Sequence, residues 1–368
     1  MSLAAIASRV DRRSRLIIGG ATGATVVSAV AVAAGLAGVP VFVATAIALA
    51  LLAAVVGEAT DEIGARLSPA ATGILQSALG NLPELFISLF ALQAGLVAVV
   101  VTALVGSILA NILLVLGIAL FVGGRRHGRQ HFESRGVRDI AMLLLLAVAA
   151  IVIPTLATAP GAPDAGHAQD LSVVVSIVLL VIFAASVPFA VKAGESAATS
   201  RGMAEGTELG AWPMVLAVVV LAVAALCAAF VADWFVASLR PAMAALGMSE
   251  AFAGLVVVAI AGNAVENVVG VSAAARNKVD LSLALILNSA LQVALALTPA
   301  LVLISMVMGG ATLTLVVSPL LAGALVFSAL LATIIVFDGE SNALEGLALV
   351  GLYVIIAASV WWGPAIGT

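Results

Sequence analysis

An all-α polytopic membrane protein of about eleven transmembrane helices is predicted by three observations: scarce charge, long solid apolar runs, and one-sided placement of the basic residues. Of 368 residues, 64% are apolar and 9% charged, whereas an average soluble protein carries about 25% charge. That ratio excludes a soluble globule, a disordered chain and a nucleic-acid binder. The apolar residues number about 235, enough for roughly eleven crossings at ~20 residues each. Runs such as Leu143–Leu146, Val173–Val175 and Val215–Val220 lack the alternation of a membrane barrel strand. Cys227, the single cysteine, lies inside such a run and reads as a small buried hydrophobe.

The spans fall near 16–36, 40–60, 69–93, 96–122, 139–158, 171–191, 212–236, 248–275, 280–307, 312–337 and 343–363. The first follows Arg9, Arg12, Arg13 and Arg15. Its apolar stretch of about 20 residues exceeds a cleaved signal's core, so an uncleaved anchor is expected. With the N-terminus cytoplasmic and sides alternating, fourteen basic residues fall inside and only Arg240 outside, as the positive-inside rule demands. The C-terminus is then external. The loop 123–138, with His127, His131 and five arginines, is the main basic segment. It reads first as a topology determinant, with contact to anionic lipid head groups as the alternative. The expected divisions are 1–38, an N-terminus with an extra helix; 39–191, a first repeat; 192–211, a cytoplasmic linker with Glu195, Glu205 and Glu208; and 212–368, a second repeat.

The repeat is visible in the residues. Gly80-Asn81-Leu82-Pro83-Glu84 and Gly262-Asn263-Ala264-Val265-Glu266 both read Gly-Asn-x-x-Glu, 182 residues apart, and the same offset carries Ser107 onto Ser289. The copies lie five spans apart, an odd number, and so enter the membrane from opposite sides. An inverted-topology repeat of the kind found in secondary transporters is therefore expected, with binding at the midplane where the copies meet.

A carboxylate in the hydrocarbon centre costs at least about 2.5–3.5 kcal/mol. No Lys or Arg lies deep in any predicted span, so two symmetric glutamates at that depth, Glu84 and Glu266, point to a cation as counter-charge. Gly80 and Gly262 weaken the helix before each Glu, and Pro83 removes a backbone donor. Carbonyls freed by such breaks are tolerated in a membrane only where they line a cavity. Asn81, Asn263, Ser107, Ser289, Asn111, Asn288 and Gln292 add side-chain oxygens. Ca²⁺ takes about six to eight oxygens, a demand this set can meet. Taken singly, each Ser or Asn also suits helix–helix hydrogen bonding. Glu58, Asp61 and Glu62 end the second span and read equally as a cation-concentrating vestibule or a solvated helix end.

These residues resemble a known family. Gly80 to Leu85, with Gly106-Ser107-Ile108-Leu109-Ala110-Asn111 and the residues to Gly117, is similar to the first α-repeat of cation/Ca²⁺ exchangers, in particular the Ca²⁺/H⁺ antiporter branch. Gly262 to Glu266, with Asn277-Lys278-Val279-Asp280 and Asn288 to Gln292, resembles the second. The runs Gly57 to Glu62 and Asp338 to Gly346 also fit that branch. The resemblance implies ten helices in two inverted halves, often behind an extra helix, in a plasma-membrane antiporter and not an enzyme. Ca²⁺ and H⁺ would be cargo, with no cofactor; the partners would be the lipid bilayer and small cations. Glu84 and Glu266 would hold either the cation or protons during alternating access. Two positions depart from many relatives: Asn267 replaces a His, and Asn288 replaces a Gly. A Na⁺/H⁺ or Mn²⁺/H⁺ exchanger of the same fold stays open beside the Ca²⁺ reading. A passive cation channel and a lipid-pyrophosphate phosphatase are the other classes; for the latter, Glu205-Gly206-Thr207-Glu208 lacks the following arginine.

Overall fold

The computed structural model describes residues 10–67, 71–72, 75–76, 79–132, 135–162, 164–200 and 212–362, apart from the side chains of 187–200 and 264–266. Its helices are α1 (Arg12–Ala33), α2 (Val39–Gly64), α3 (Leu82–Gln93), α4 (Val97–His127), α5 (Arg135–Ala157), α6 (Ala168–Ser200), α7 (Met214–Leu246), α8 (Glu250–Gly262), α9 (Ala264–Ala275), α10 (Val279–Val307), α11 (Pro319–Asp338) and α12 (Ala343–Trp361). Among the described residues, nine helices are long and apolar enough to cross a membrane, or ten if the pair α8–α9, bent by 65°, forms one span.

The helix ends follow local chemistry. Asp11 caps α1 by accepting the Ser14 N–H at 3.0 Å. Those hydrogen bonds, from Ser14 first, hold the Asp11 carboxyl below its ordinary range. Asn342 and Glu345 form a reciprocal capping box at the start of α12, which satisfies otherwise orphaned donors. Asn277 takes a positive φ of 61° in the turn between α9 and α10, a conformation Asn tolerates better than most residues.

Three segments differ from the sequence expectation. α6 runs on to Ser200, into the linker expected over 192–211, of which 201–211 lie outside the described residues. The loop expected over 123–138 is partly ordered: α4 continues to His127, and strand β1 (Gln130–His131) pairs antiparallel with β2 (Glu340–Ser341). The span expected from 312 begins instead at Pro319, after an extended strap over 312–318. Pro319 disfavours helix in the residue before it, and Thr312-Leu313-Thr314-Leu315 alternates polar and apolar residues as extended chain does. Leu313, Leu315 and Val317 are buried. Their backbone N–H groups donate to Ser305 Oγ at 2.9 Å, Ser172 Oγ at 3.0 Å and Thr155 Oγ1 at 3.0 Å. Hydroxyls from α10, α6 and α5 thus replace the hydrogen bonds a helix would have supplied.

The chain forms two compact units, Met1–Phe90 with Phe183–Leu246, and Ala91–Ile182 with Gly247–Thr368. In the first, Phe42 on α2 stacks on Phe235 on α7, ring centroids 5.1 Å apart. Trp212 is buried with Val10, Ala59, Ile63 and Ala217. Its N–H donates to Glu62 Oε2 at 3.1 Å, and its carbonyl accepts from Arg66.

In the second unit, α4 is the central helix: 89% of its most apolar stretch is buried, against 22% for α7 in the other unit. Glycines allow α8 to lie directly on it. A Cβ added at Gly254 would stand 2.1 Å from Thr102 Oγ1, and one added at Gly106 would stand 2.3 Å from the Leu255 carbonyl oxygen. Small residues promote such close approach in membranes, where packing rather than water exclusion drives association.

The 182-residue offset recurs in the secondary structure. Helices Leu82–Gln93 and Ala264–Ala275 are each 12 residues long, with both ends displaced by 182. α4 starts at Val97 and α10 at Val279. Each then contains a π-helical turn, at Ala110–Val115 and Val293–Leu297. Such turns are rare and are found frequently at functional sites.

Candidate functional site

In the first unit, Gly80 and Asn81 form a turn and α3 starts at Leu82. The Leu85 N–H donates to the Asn81 carbonyl at 2.9 Å, closing the first turn. Pro83 stands in that turn, where its missing N–H is not needed and its fixed φ suits a helix start. It begins a helix here, where the sequence alone suggested a lost donor. Glu84 is also in the first turn, where the helix dipole favours negative charge. Glu84 and Asn81 are each 5% exposed. A carboxylate is therefore buried at the start of a short helix, directly after a break in the backbone.

The second unit repeats the break. α8 ends at Gly262, Asn263 takes φ −97° and ψ 11°, and α9 follows. Glu266 is the third residue of α9, as Glu84 is of α3. The Glu266 side chain lies outside the described residues.

Four of the other expected residues are brought together in this unit. Asn263 Nδ2 donates to Ser107 Oγ at 3.0 Å and to the Ala259 carbonyl at 3.0 Å. Ser289 Oγ donates to Asn263 Oδ1 at 3.4 Å. Asn111 Nδ2 donates to the Ser107 carbonyl at 2.9 Å and to Ser289 Oγ at 3.3 Å. All four side chains are at most 4% exposed. The turn before α9 and the π-helical regions of α4 and α10 are thus joined by neutral oxygens and amides.

Asn111 Oδ1 is buried with no hydrogen-bond partner among the described residues. An acceptor left so in a buried network calls for a donor or a cation. Gln292 is half-buried, one turn past Ser289 and on the same side of α10. Asn288 is exposed and makes no part of the network, unlike its offset counterpart Gly106, which packs against Leu255. Among the described residues, no three His, Cys, Asp or Glu side chains cluster as a metal site.

The three acids at the end of α2 divide. Glu62 holds the Trp212 N–H, and Asp61, exposed, accepts from Gln76 Nε2 at 2.9 Å. Glu58 is half-buried, with Oε2 lacking a hydrogen bond among the described residues. Nothing in the sequence marks Glu62 as the acceptor of a backbone donor 150 residues away. Nor did it single out the strap hydroxyls of Thr155, Ser172 and Ser305 or the close-packed Gly254. The Leu-x-Leu-x-Val pattern before Pro319 was the available signal for the strap. Asn267 Oδ1, beside Glu266, is a further buried acceptor without a partner among the described residues.

The sodium/calcium exchanger protein family model matches residues 37–192 and 216–362. This chain belongs to that family. Among similar exchanger-family proteins is a Ca²⁺/H⁺ antiporter of Aphanothece halophytica, 35% identical over 89% of this chain and 91% of its own length. A Ca²⁺/H⁺ antiporter of Synechocystis sp. is 33% identical, with 89% and 92% covered. The solved structure of native YfkE, a Ca²⁺/H⁺ antiporter protein, superposes with a TM-score of 0.80 at 29% identity, covering 94% of this chain and 99% of YfkE. The chain is accordingly an integral membrane transporter of the exchanger family.

Proposed function

We propose that this chain exchanges Ca²⁺ for H⁺ by alternating access, with Glu84 and Glu266 holding either the cation or protons. The observation that carries the site is the duplicated break: a backbone break at a Gly-Asn pair, then a 12-residue helix whose third residue is Glu, in both halves. Similarity over most of the chain to proteins named Ca²⁺/H⁺ antiporters supports the cargo. A carboxylate buried in a membrane is costly when charged and uncompensated. A bound cation or a proton removes that cost, and the two compete for the same oxygens. A site emptied of both resists occlusion, which couples the two fluxes. Asn81, Asn263, Ser107, Ser289, Asn111 and Gln292 complete the oxygen set that a hard cation needs.

The same reading counts eleven spans, with the region 69–93 supplying one that α3 ends. It arranges ten of them as two inverted repeats behind α1. The matching offsets of α3 with α9 and of α4 with α10 support that arrangement. On the same reading the one-sided basic residues support a cytoplasmic N-terminus and an external C-terminus, and the membrane is the plasma membrane. The protein needs no resident cofactor and catalyses no covalent chemistry.

Inside-out vesicles with a preformed ΔpH provide the test. Ca²⁺ should collapse the gradient with the wild-type chain, and neither Glu84→Gln nor Glu266→Gln should do so at equal protein content. Wild-type collapse by both variants overturns the site. A response to Na⁺ or Mn²⁺ but not Ca²⁺ transfers the assignment to that cation, and Ca²⁺ flux without proton movement makes the protein a channel.

A further inference from the structure

Two basic segments far apart in sequence meet at the ends of the spans that carry the candidate site. Arg125, Arg126, His127 and Arg129 lie at and just beyond the end of α4, and Arg276 and Lys278 lie in the turn that leads into α10. Arg126 Nη1 donates to the Ala275 carbonyl at 3.4 Å, and His127 Nε2 lies 3.1 Å from the same oxygen. Gln130 Nε2 donates to Asn277 Oδ1 at 3.2 Å, so Arg276 and Lys278 flank a residue tied directly to the α4 side. All five Arg and Lys side chains are exposed.

Their charges are unevenly used. Arg129 pairs with Glu340 at 2.7 Å. Arg125 sits 6.0 Å over the Phe121 ring, its stem lying along the end of the span and its charge beyond it. Among the described residues, Arg125, Arg126, Arg276 and Lys278 have no carboxylate within ion-pair distance. Asp280 stands in the first turn of α10, where a helix N-terminus itself favours negative charge. Four cations remain, contributed by two membrane helices that both end at this level.

We propose that these residues form a binding site for the phosphate of an anionic phospholipid head group. The depth suits a lipid: α4 and α10 are spans, and the basic residues stand immediately outside their apolar stretches. Four to eight Lys or Arg at that position are the usual signature of anionic head-group recognition, and basic pockets between spans hold such head groups. A topology signal alone requires only that the residues be on one side. It does not require that two segments about 150 residues apart be tied together through Arg126, His127, Gln130 and the 275–277 turn. A bound phosphate would bridge the helix carrying Ser107 and Asn111 to the one carrying Ser289. The proposal depends on the membrane-spanning fold and not on which cation is carried.

The test uses the purified full-length chain, with bound lipid counted by native mass spectrometry after incubation with phosphatidylglycerol or with phosphatidylcholine of the same acyl chains. Phosphatidylglycerol should be retained and phosphatidylcholine should not. Arg276→Gln with Lys278→Gln leaves the Arg126 and His127 contacts in place. At about 1 kcal/mol per basic residue near a charged lipid surface, it should weaken retention roughly 30-fold. Arg276→Lys with Lys278→Arg should keep it. Rising salt should release the lipid from the wild-type chain, a measurement that stands even if the Gln variant fails to fold. Equal retention by wild type and Gln variant, equal binding of phosphatidylcholine, salt-insensitive retention, or displacement by millimolar inorganic phosphate would each overturn the head-group site.

Discussion

Asn263 donates from Nδ2 to Ser107 Oγ at 3.0 Å, a contact that spans 156 residues of sequence. Its Oδ1 accepts from Ser289 at 3.4 Å. One side chain at the helix break therefore joins α4 and α10. Asn263→Ala should lower Ca²⁺-driven proton exchange at least tenfold while the protein still reaches the membrane. A double-mutant cycle with Ser107→Ala, read by thermal unfolding, should return a coupling of about 1 kcal/mol. Additive losses would mean that the hydrogen bond contributes nothing.

Asn111 Oδ1 is buried and accepts nothing among the described residues, though its Nδ2 is doubly used. The free acceptor is the atom a cation would take. Asn111→Leu should raise the Ca²⁺ concentration for half-maximal collapse of ΔpH about tenfold or more. Asn111→Asp, which keeps an oxygen there, should retain exchange. If the Leu variant transports with wild-type affinity, Asn111 is helix–helix glue and no ligand.

Much of this was legible in the residues. Charge scarcity gave the membrane class, and the Gly-Asn-x-x-Glu repeat located both helix breaks, because glycine and asparagine disfavour continued helix and that cost leaves a mark in composition. The strap over 312–318 was not foreseen, since Leu-Val-Val is as apolar as a span and hydropathy does not separate an extended buried segment from a helix. Pro319 and the period-two pattern were the corrective. The partner of Glu62 was hidden for another reason: a backbone N–H carries no sequence signature, and only the fold shows that Trp212 presents one. The exposed position of Asn288 likewise depends on the rotation of α10, which periodicity left unfixed by a residue.

Asn267 follows Glu266, and its Oδ1 is buried without a hydrogen-bond partner among the described residues. An amide does not titrate, whereas His ordinarily gains a proton near pH 6.5. Asn267→His should therefore add a positive charge beside the site below about pH 6.5 and repel the cation there. Exchange by this variant should match wild type at pH 8 and fall below it at pH 6. Parallel pH profiles from pH 6 to 8 would place position 267 outside the reach of the site.

Gly254 on α8 faces Thr102 and Val99 on α4. An added Cβ would lie 2.1 Å from Thr102 Oγ1 and 2.4 Å from the Val99 carbonyl oxygen. The Thr hydroxyl can turn, but the backbone carbonyl cannot, so Gly254→Ala must push the two helices apart. Overpacking of this kind costs about 1–3 kcal/mol. The variant should unfold at a lower temperature in detergent, while Gly351→Ala on α12, where nothing lies within 4 Å, should not. Equal melting of both would show that α8 can move off α4 without penalty.

Thr155 on α5 holds the strap through its hydroxyl, which accepts the Val317 N–H at 3.0 Å and donates to the Leu315 carbonyl at 3.4 Å. Thr155→Val keeps the shape and removes both bonds, leaving a buried N–H unmatched at a cost of about 1–3 kcal/mol. The effect should be local, because Ser172 and Ser305 still hold Leu315 and Leu313. Amide hydrogen exchange at Val317 should accelerate in Thr155→Val, with little change at Leu313. Adding Ser172→Ala should extend the acceleration to Leu315. Unchanged exchange at Val317 would mean that burial of Leu313, Leu315 and Val317, and not the hydroxyls, keeps the strap in place.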